Sequence, residues 1–268
     1  MKKILLIVLI LVLLGAAAAA LFIASFDLDR YRPGIVRSLE ETLEKPVTLE
    51  KITLAWRGGL ALTLQGLVIY SDSAKKQELL RLKSAGALMN PLALLDRRLE
   101  ISSIFLTEPH LFLARNAEGK IRGFETKPKK KMNLNLIPLL AAVSLRIEKI
   151  KLEGGEIIFQ DEGHEPPLEI RLTDLEAVLK NVAWNSPVQI KGSASFLSPQ
   201  RNLDLAGEIR MTPRGPAAEN VRLDLDLSAL DWEQAERVLP FLREGKFRKG
   251  TRGKFLLLVP EIRLSEEG

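Results

Sequence analysis

From residue 47 onward, apolar and polar residues alternate with a period of two along most of the chain. The alternation is clear from Leu60 to Leu64, and Leu67 and Ile69 follow after Gly66. Successive side chains of a β-strand point to opposite faces, so this period predicts strands with one apolar and one polar face. A parallel, doubly wound sheet would instead need continuous apolar strands and long helices. The chain is therefore expected to be mainly β, an antiparallel sheet with a few short helices.

The first 26 residues predict a membrane anchor. Residues 4–26 contain no charged residue, and a helix of this length extends about 34 Å, enough to cross the hydrocarbon core of a bilayer. Lys2 and Lys3 precede the segment, so the positive-inside bias predicts a cytoplasmic N-terminus with the remainder of the chain outside. A cleaved signal peptide and a buried core helix are the alternatives, although the apolar stretch of a signal peptide is commonly only about 7–15 residues long. In a bacterium with two membranes, the bulk of the chain would lie in the periplasm, held to the inner membrane by a single pass.

An amphipathic helix is predicted between this anchor and the first strand, within residues 27–46. Ile35, Leu39 and Leu43 recur four residues apart, which places them on one side of a helix. A second short helix is predicted within Asp231–Leu242, where an acidic residue is suited to cap its first turn.

The chain contains an internal repeat, in which residues 99–113 recur 46 positions later as residues 145–159. Apolar residues match at the inward positions, and Glu108-Pro109 in the first copy is replaced by Gly154-Gly155 in the second. Each copy is interpreted as a hairpin in which a tight turn joins two strands. The lysine-rich segment between the copies, residues 125–133, is interpreted as a solvated loop, with contact to anionic lipid headgroups as the alternative.

The composition excludes several kinds of functional site. The chain has no cysteine and only two histidines, His110 and His164, so thiolate sites and three-histidine metal centres are ruled out. A net charge of +5 is too small to indicate nucleic-acid binding. Residues 73–76 fit the S-x-x-K pattern, but its companion motifs and the common nucleotide-binding and hydrolase motifs are missing. We therefore expect a protein that is not an enzyme, with no cofactor, no metal and no nucleic-acid partner.

Several segments follow one another in a distinctive order after the apolar anchor. They are the helix ending in Glu44-Lys45-Pro46-Val47, the strands from Ile52 to Ile69, the run from Asn90 to Ile101 and the run from Leu111 to Gly119. This succession resembles the N-terminal region of the AsmA family, well over residues 1–160 and loosely beyond them. Members of that family are commonly much longer, so the chain is expected to be a short member or a fragment truncated on its C-terminal side.

The resemblance implies a curved, taco-like β-groove similar to that of bridge-like lipid transfer proteins. It also implies a membrane-anchored periplasmic protein that takes part in phospholipid movement toward the outer membrane and in outer-membrane integrity. The implied partners are the inner membrane, phospholipid acyl chains and other envelope proteins. The expected organisation is a cytoplasmic tip and transmembrane signal-anchor (1–26), an amphipathic helix (27–46), first β-groove hairpins (47–131) and a second β-groove segment (132–268).

The candidate groove lining consists of apolar residues from the first hairpins and from both copies of the repeat. They are Leu54, Leu62, Leu64, Ile69, Ile101, Ile104, Leu106, Leu111, Leu113, Ile147, Ile150, Leu152, Ile157 and Phe159. A slip of one residue turns the side chains of a strand to the other face, so the phase of each strand is left open. The alternative is a membrane-tethered β-sandwich that serves as a scaffold or an assembly factor for outer-membrane proteins, with a second sheet covering these residues.

Overall fold

The structure is a computed structural model. It describes residues 27–56, 59–90, 100–122, 147–163, 167–182, 187–212, 215–238 and 252–263. The predicted anchor (1–26), the lysine-rich segment (125–133) and His164 lie outside the described residues. Among the residues that are described, no helix is both long enough and apolar enough to span a membrane.

The helix predicted within residues 27–46 is confirmed. A 3-10 turn at Asp29–Tyr31 leads directly into helix α1, Arg32–Leu43. Pro33 lies in the first turn of α1, where backbone N–H groups have no helical acceptor in any case. Glu44 then takes a left-handed conformation with φ of 53°, which ends the helix.

The second predicted helix is also present among the described residues. Helix α2 spans Trp232–Val238 and follows Asp231. The Oδ1 atom of Asp231 accepts hydrogen bonds from the backbone N–H groups of Glu233 and Gln234, at 3.1 and 3.2 Å. The acidic cap predicted from the sequence therefore satisfies two N–H groups that the helix leaves free.

All the described strands belong to one curved, unclosed sheet of eleven strands. The strands are β1 Val47–Thr48, β2 Lys51–Trp56, β3 Leu60–Tyr70, β4 Glu78–Met89, β5 Ile101–Arg115, β6 Ile147–Asp161, β7 Leu168–Val182, β8 Val188–Phe196, β9 Leu203–Thr212, β10 Gly215–Asp226 and β11 Lys254–Arg263. Their order in the sheet follows the chain from β3 to β11, and β1 and β2 both pair with β3 at the starting edge. The prediction of a mainly β, curved sheet with a few short helices is confirmed in this respect.

The sheet is mixed, so the prediction of an antiparallel sheet is wrong for one pair of strands. β5 and β6 run parallel, and their register joins residues 46 positions apart, such as Leu106 with Leu152 and Leu111 with Ile157. The two copies of the repeat therefore lie side by side in the same direction. Alternation of apolar residues reports which face a side chain occupies, and it carries no information about strand direction.

The prediction that each repeat forms a hairpin is also wrong, because each copy is one continuous strand with a bend. Glu108 in β5 and Gly154 in β6 have positive φ values of 46° and 65°. Gly66 in β3 and Asp174 in β7 have φ values of 62° and 49°. A left-handed residue within a strand forms a bulge that bends the strand without reversing it. Four strands thus bend along one line across the sheet, which we call the bend line.

One close approach on the sheet gives a testable stability prediction. Gly86 of β4 pairs with Phe105 of β5, and a Cβ atom added at Gly86 would overlap the Phe105 ring. We expect Gly86→Ala to displace that ring and to lower the free energy of unfolding by about 1–3 kcal/mol. Chemical denaturation of the purified chain measures this loss.

The double variant Gly86→Ala/Phe105→Ala is the control. If the overlap with the ring is the cause, the two substitutions will be non-additive, because Gly86→Ala costs nothing further once the ring is gone. Additive losses would contradict this explanation.

Candidate functional site

One face of the sheet carries an unbroken row of apolar residues that crosses ten strands. Residues paired directly across neighbouring strands point to the same face, and in this row each residue is the register partner of the next. The row, which we call the central row, consists of Ile52, Leu64, Ala85, Leu106, Leu152, Ala177, Gly192, Leu205, Leu223 and Leu257. With strands about 4.8 Å apart, the central row is about 43 Å long.

A second apolar row lies on the other side of the bend line. This outer row consists of Val47, Ile69, Leu80, Leu111, Ile157, Leu172 and Phe196. If side chains alternated strictly along each strand, the outer row would lie on the opposite face from the central row. The bend line interrupts this alternation in neighbouring strands at the same place. Leu67 and Leu82, which lie beyond the bend, pack in the same buried cluster as Ile52 of the central row. The two rows therefore share one face, which we call the apolar face.

The structure brings most of the predicted lining together on the apolar face. Some predicted residues lie beside the central and outer rows, where they form the cross-strand pairs Leu54–Leu62, Ile104–Ile150 and Leu113–Phe159. The predicted residues found on this face are Leu54, Leu62, Leu64, Ile69, Ile104, Leu106, Leu111, Leu113, Ile150, Leu152, Ile157 and Phe159. All of them are half-buried, neither enclosed as a core nor fully exposed.

Ile147 is the predicted lining residue that this arrangement does not place on the apolar face. It lies three positions before Ile150, and an odd spacing along a strand points side chains to opposite faces. Ile101 lies three positions before Ile104, but the register between β4 and β5 shifts there and pairs Ile101 with Met89. Met89 lies on the same face as Ala87, the partner of Ile104, so Ile101 also belongs to the apolar face.

The second half of the sheet supplies residues of the apolar face that the predicted lining omitted. Leu172, Leu205 and Leu223 continue the same rows, and their alternation is visible in the sequence. Ala177 and Gly192 also belong to the central row. Small residues like these give little signal in a hydrophobic pattern, so their role becomes evident only from strand register.

The two described helices cover the two ends of the apolar face, and neither of them covers its middle. Ile35, Val36 and Leu39 of α1 pack against the buried cluster around Val47 and Ile52. Helix α2 packs against the cluster that includes Leu197 and Leu230, where Phe196 ends the outer row. Between these two places the apolar face is only half-buried. Since every described strand belongs to one sheet, no second sheet of described residues covers it.

The opposite face of the sheet is polar and carries many ion pairs. Arg201 donates to the Asp174 carboxylate at 2.6 and 2.8 Å and to Glu176 at 2.6 Å. These hydrogen bonds lower the pKa of Asp174 and raise that of Arg201. Hydrogen bonds from Gln160 and then Arg171 likewise lower the pKa of Glu169. The carboxylates of Asp174 and Glu169 are therefore ionised at neutral pH, which makes this face hydrophilic.

Among the described residues, no candidate metal site lies beside the central row or the outer row. No group of three or more histidine, aspartate and glutamate side chains within the described ranges is arranged to hold a metal ion. His110 lies on the polar face, where its Nδ1 atom is 2.8 Å from an Oε2 atom of Glu156. The strongest feature of this part of the chain is therefore an extended apolar surface.

Comparison with known proteins identifies one matching protein family. No curated protein matches the sequence. The profile of the AsmA family matches residues 1–220, a range that includes β1 to β9, the start of β10 and helix α1. The match thus covers most of the open sheet and its apolar rows. The chain belongs to the AsmA family.

Proposed function

We propose that the chain is a membrane-anchored periplasmic protein, not an enzyme, whose apolar face carries phospholipid acyl chains toward the outer membrane and so supports outer-membrane integrity. The observation that carries this proposal is the central row, ten apolar residues side by side with no polar residue among them. Family membership and the open sheet support it further.

The apolar face suits movement of acyl chains along the sheet. Each methylene group removed from water contributes about 0.8 kcal/mol, so an acyl chain crossing water unshielded meets a large barrier. A continuous apolar row lowers that barrier along its whole length. Because the row offers no hydrogen-bonding group, it favours no single position of the lipid. Lipid headgroups would stay in water beside the open face.

The start of the groove is tied to the segment that follows the proposed anchor. The Asp29 Oδ1 atom accepts a hydrogen bond from the backbone N–H of Ile52 at 3.1 Å. Ile52 is the first member of the central row, and Leu28 packs against the same buried cluster. If residues 1–26 cross the inner membrane, this end of the apolar face lies nearest to the bilayer and is the place where lipid would enter.

The length of the apolar face argues for partners. The central row is about 43 Å long, which we regard as too short to cross a periplasm without help. We propose that other envelope proteins continue the path or that the chain delivers lipid to them.

In-cell photo-crosslinking tests the proposed function directly. A photoreactive amino acid at Leu152 lies in the middle of the central row, and one at Lys151 occupies the neighbouring position on the polar face. We expect crosslinks to phospholipid from position 152 and few or none from position 151, measured by mass spectrometry of the purified full chain. Equal lipid labelling at both positions, or none at either, would contradict the proposal. Crosslinks from 152 only to proteins would favour the scaffold or assembly-factor alternative.

A further inference from the structure

The last strand of the sheet, β11, is apolar on both faces. Phe255 and Leu257 lie on the apolar face, where Leu257 ends the central row. Leu256 and Leu258 lie on the polar face, opposite an aspartate and an arginine of β10. These four side chains are 44% to 61% exposed. Movement of lipid on the apolar face accounts for Phe255 and Leu257 but not for Leu256 and Leu258.

β11 is also an edge strand, with no neighbour among the described strands on its outer side. A free edge presents unpaired backbone N–H and C=O groups, and proteins usually protect such edges with charged residues, proline or bulges. In β11, Lys254 and Pro260 lie on either side of a segment of five residues, 255–259. This segment contains no charged residue, no proline and no glycine. Such an edge is suited to pair with another strand.

We propose that the β11 edge pairs with β11 of a second copy of this chain, in antiparallel orientation about a twofold axis at Leu257. In this register Phe255 faces Val259 of the second copy, and Leu256 faces Leu258 of the second copy. Leu257 faces its own counterpart. Every pair of this five-residue segment is thus apolar on both faces of the joined sheet, which is the self-complementarity that a twofold interface requires.

The symmetry has a structural consequence for the apolar face. A twofold axis perpendicular to the sheet keeps the apolar faces of both copies on the same side. The two central rows then meet at Leu257, and the continuous apolar path about doubles in length. The inference does not depend on lipid transport, since it rests on the edge strand alone.

Disulfide crosslinking of the full chain in membranes tests the register. The chain has no cysteine, so each single cysteine variant reports only on its own position. Directly opposed residues of an antiparallel pair have Cα atoms about 4.5–5.5 Å apart, which a disulfide can bridge. We expect Leu257→Cys to give a disulfide-linked dimer on non-reducing gels after mild oxidation.

Phe255→Cys is the matched control on the same strand and face. In the proposed register its two copies are four residues apart along the strand, about 13 Å, so no disulfide forms. Absence of a dimer with Leu257→Cys, or a dimer with Phe255→Cys, would overturn the proposal.

Charge variants on the polar face provide the second test, made in the Leu257→Cys background. Leu256→Lys/Leu258→Lys opposes lysine with lysine across the interface, and we expect about tenfold less disulfide-linked dimer. Leu256→Lys/Leu258→Glu removes the same apolar side chains but opposes lysine with glutamate, so most of the dimer should return. Equal crosslinking in these two variants would overturn the proposed register. Lipid labelling at position 152, measured in the same cells, reports separately on the proposed function.

Discussion

Replacing Leu152 with aspartate is expected to stop lipid from reaching the far half of the apolar face while leaving the chain folded. Leu152 lies in the middle of the central row and belongs to neither buried cluster. A carboxylate at this position is ionised at neutral pH, and an acyl chain that covers it must strip its water at a cost of several kcal/mol. The substitution therefore raises a barrier at one point of an otherwise apolar path.

Two crosslinking positions measure this effect in cells. A photoreactive residue at Leu205 lies beyond position 152, and one at Ile104 lies on the side nearer to helix α1. We expect Leu152→Asp to reduce lipid labelling at position 205 at least about tenfold, which corresponds to a barrier of about 1.4 kcal/mol. Labelling at position 104 should persist if lipid enters near α1.

Val178→Asp is the matched control for this prediction. Val178 is the neighbour of Ala177 along β7, and it pairs with Lys151 on the polar face. An aspartate there adds the same charge at almost the same place along the groove, so labelling at position 205 should stay at its original level. If Leu152→Asp unfolds the chain and Val178→Asp does not, then Leu152 belongs to a closed core and the proposed path fails. Loss of labelling in both variants would point to an effect of charge alone.

Leu106→Asp should behave differently from Leu152→Asp, although both residues lie in the central row. Leu106 packs against the buried cluster beneath α1, so a carboxylate there is harder to hydrate. We expect a lower free energy of unfolding for Leu106→Asp than for Leu152→Asp in chemical denaturation. This difference follows from the structure and is not visible in the sequence, where the two leucines occupy equivalent positions of the repeat.

Which apolar residues of a strand share a face could be predicted from the sequence, but the direction of each strand could not. The alternation that assigns Leu62 and Leu64 to one face would be the same in a parallel or an antiparallel sheet. In the parallel pair, each paired residue of β5 lies beside the residue of β6 that is 46 positions later in the chain. The two copies of the repeat are therefore aligned with each other. An internal repeat is thus compatible with successive hairpins and with copies that lie side by side, and only long-range pairing decides between them.

The bend line shows why local turn signals misled the prediction. Gly154 has a positive φ, and so does Glu108 before Pro109, and such residues are typical of tight turns. The same backbone conformation also bends a continuous strand. Here β3, β5, β6 and β7 each contain a residue of positive φ near this line, and the register of β6 with β7 and of β7 with β8 shifts at the same place. The outcome depends on several strands together, and no single segment contains that information.

Replacing Trp232 with alanine is expected to detach helix α2 from the apolar face. The described part of the helix has seven residues, and a helix of this length is not stable alone in water. Trp232, Ala235 and Val238 are buried against the sheet, at 8%, 0% and 8% exposure. Removing a buried tryptophan side chain usually costs about 3–5 kcal/mol. We therefore expect the amide of Ala235, which now donates to the Asp231 carbonyl at 2.8 Å, to lose its protection from hydrogen exchange.

Gln234→Ala is the control within the same helix, because Gln234 is exposed and its loss should change stability by less than about 0.5 kcal/mol. Amides of β6 lie outside the α2 cluster and should keep their protection in both variants. If Trp232→Ala also exposed β6, the helix would be part of the structural core and not a separate cover. If only α2 is released, Phe196 loses the helix packed against it, and the outer row gains open apolar surface at its far end. Lipid labelling from a photoreactive residue at Leu172 should then rise in Trp232→Ala, because the next member of that row has become accessible.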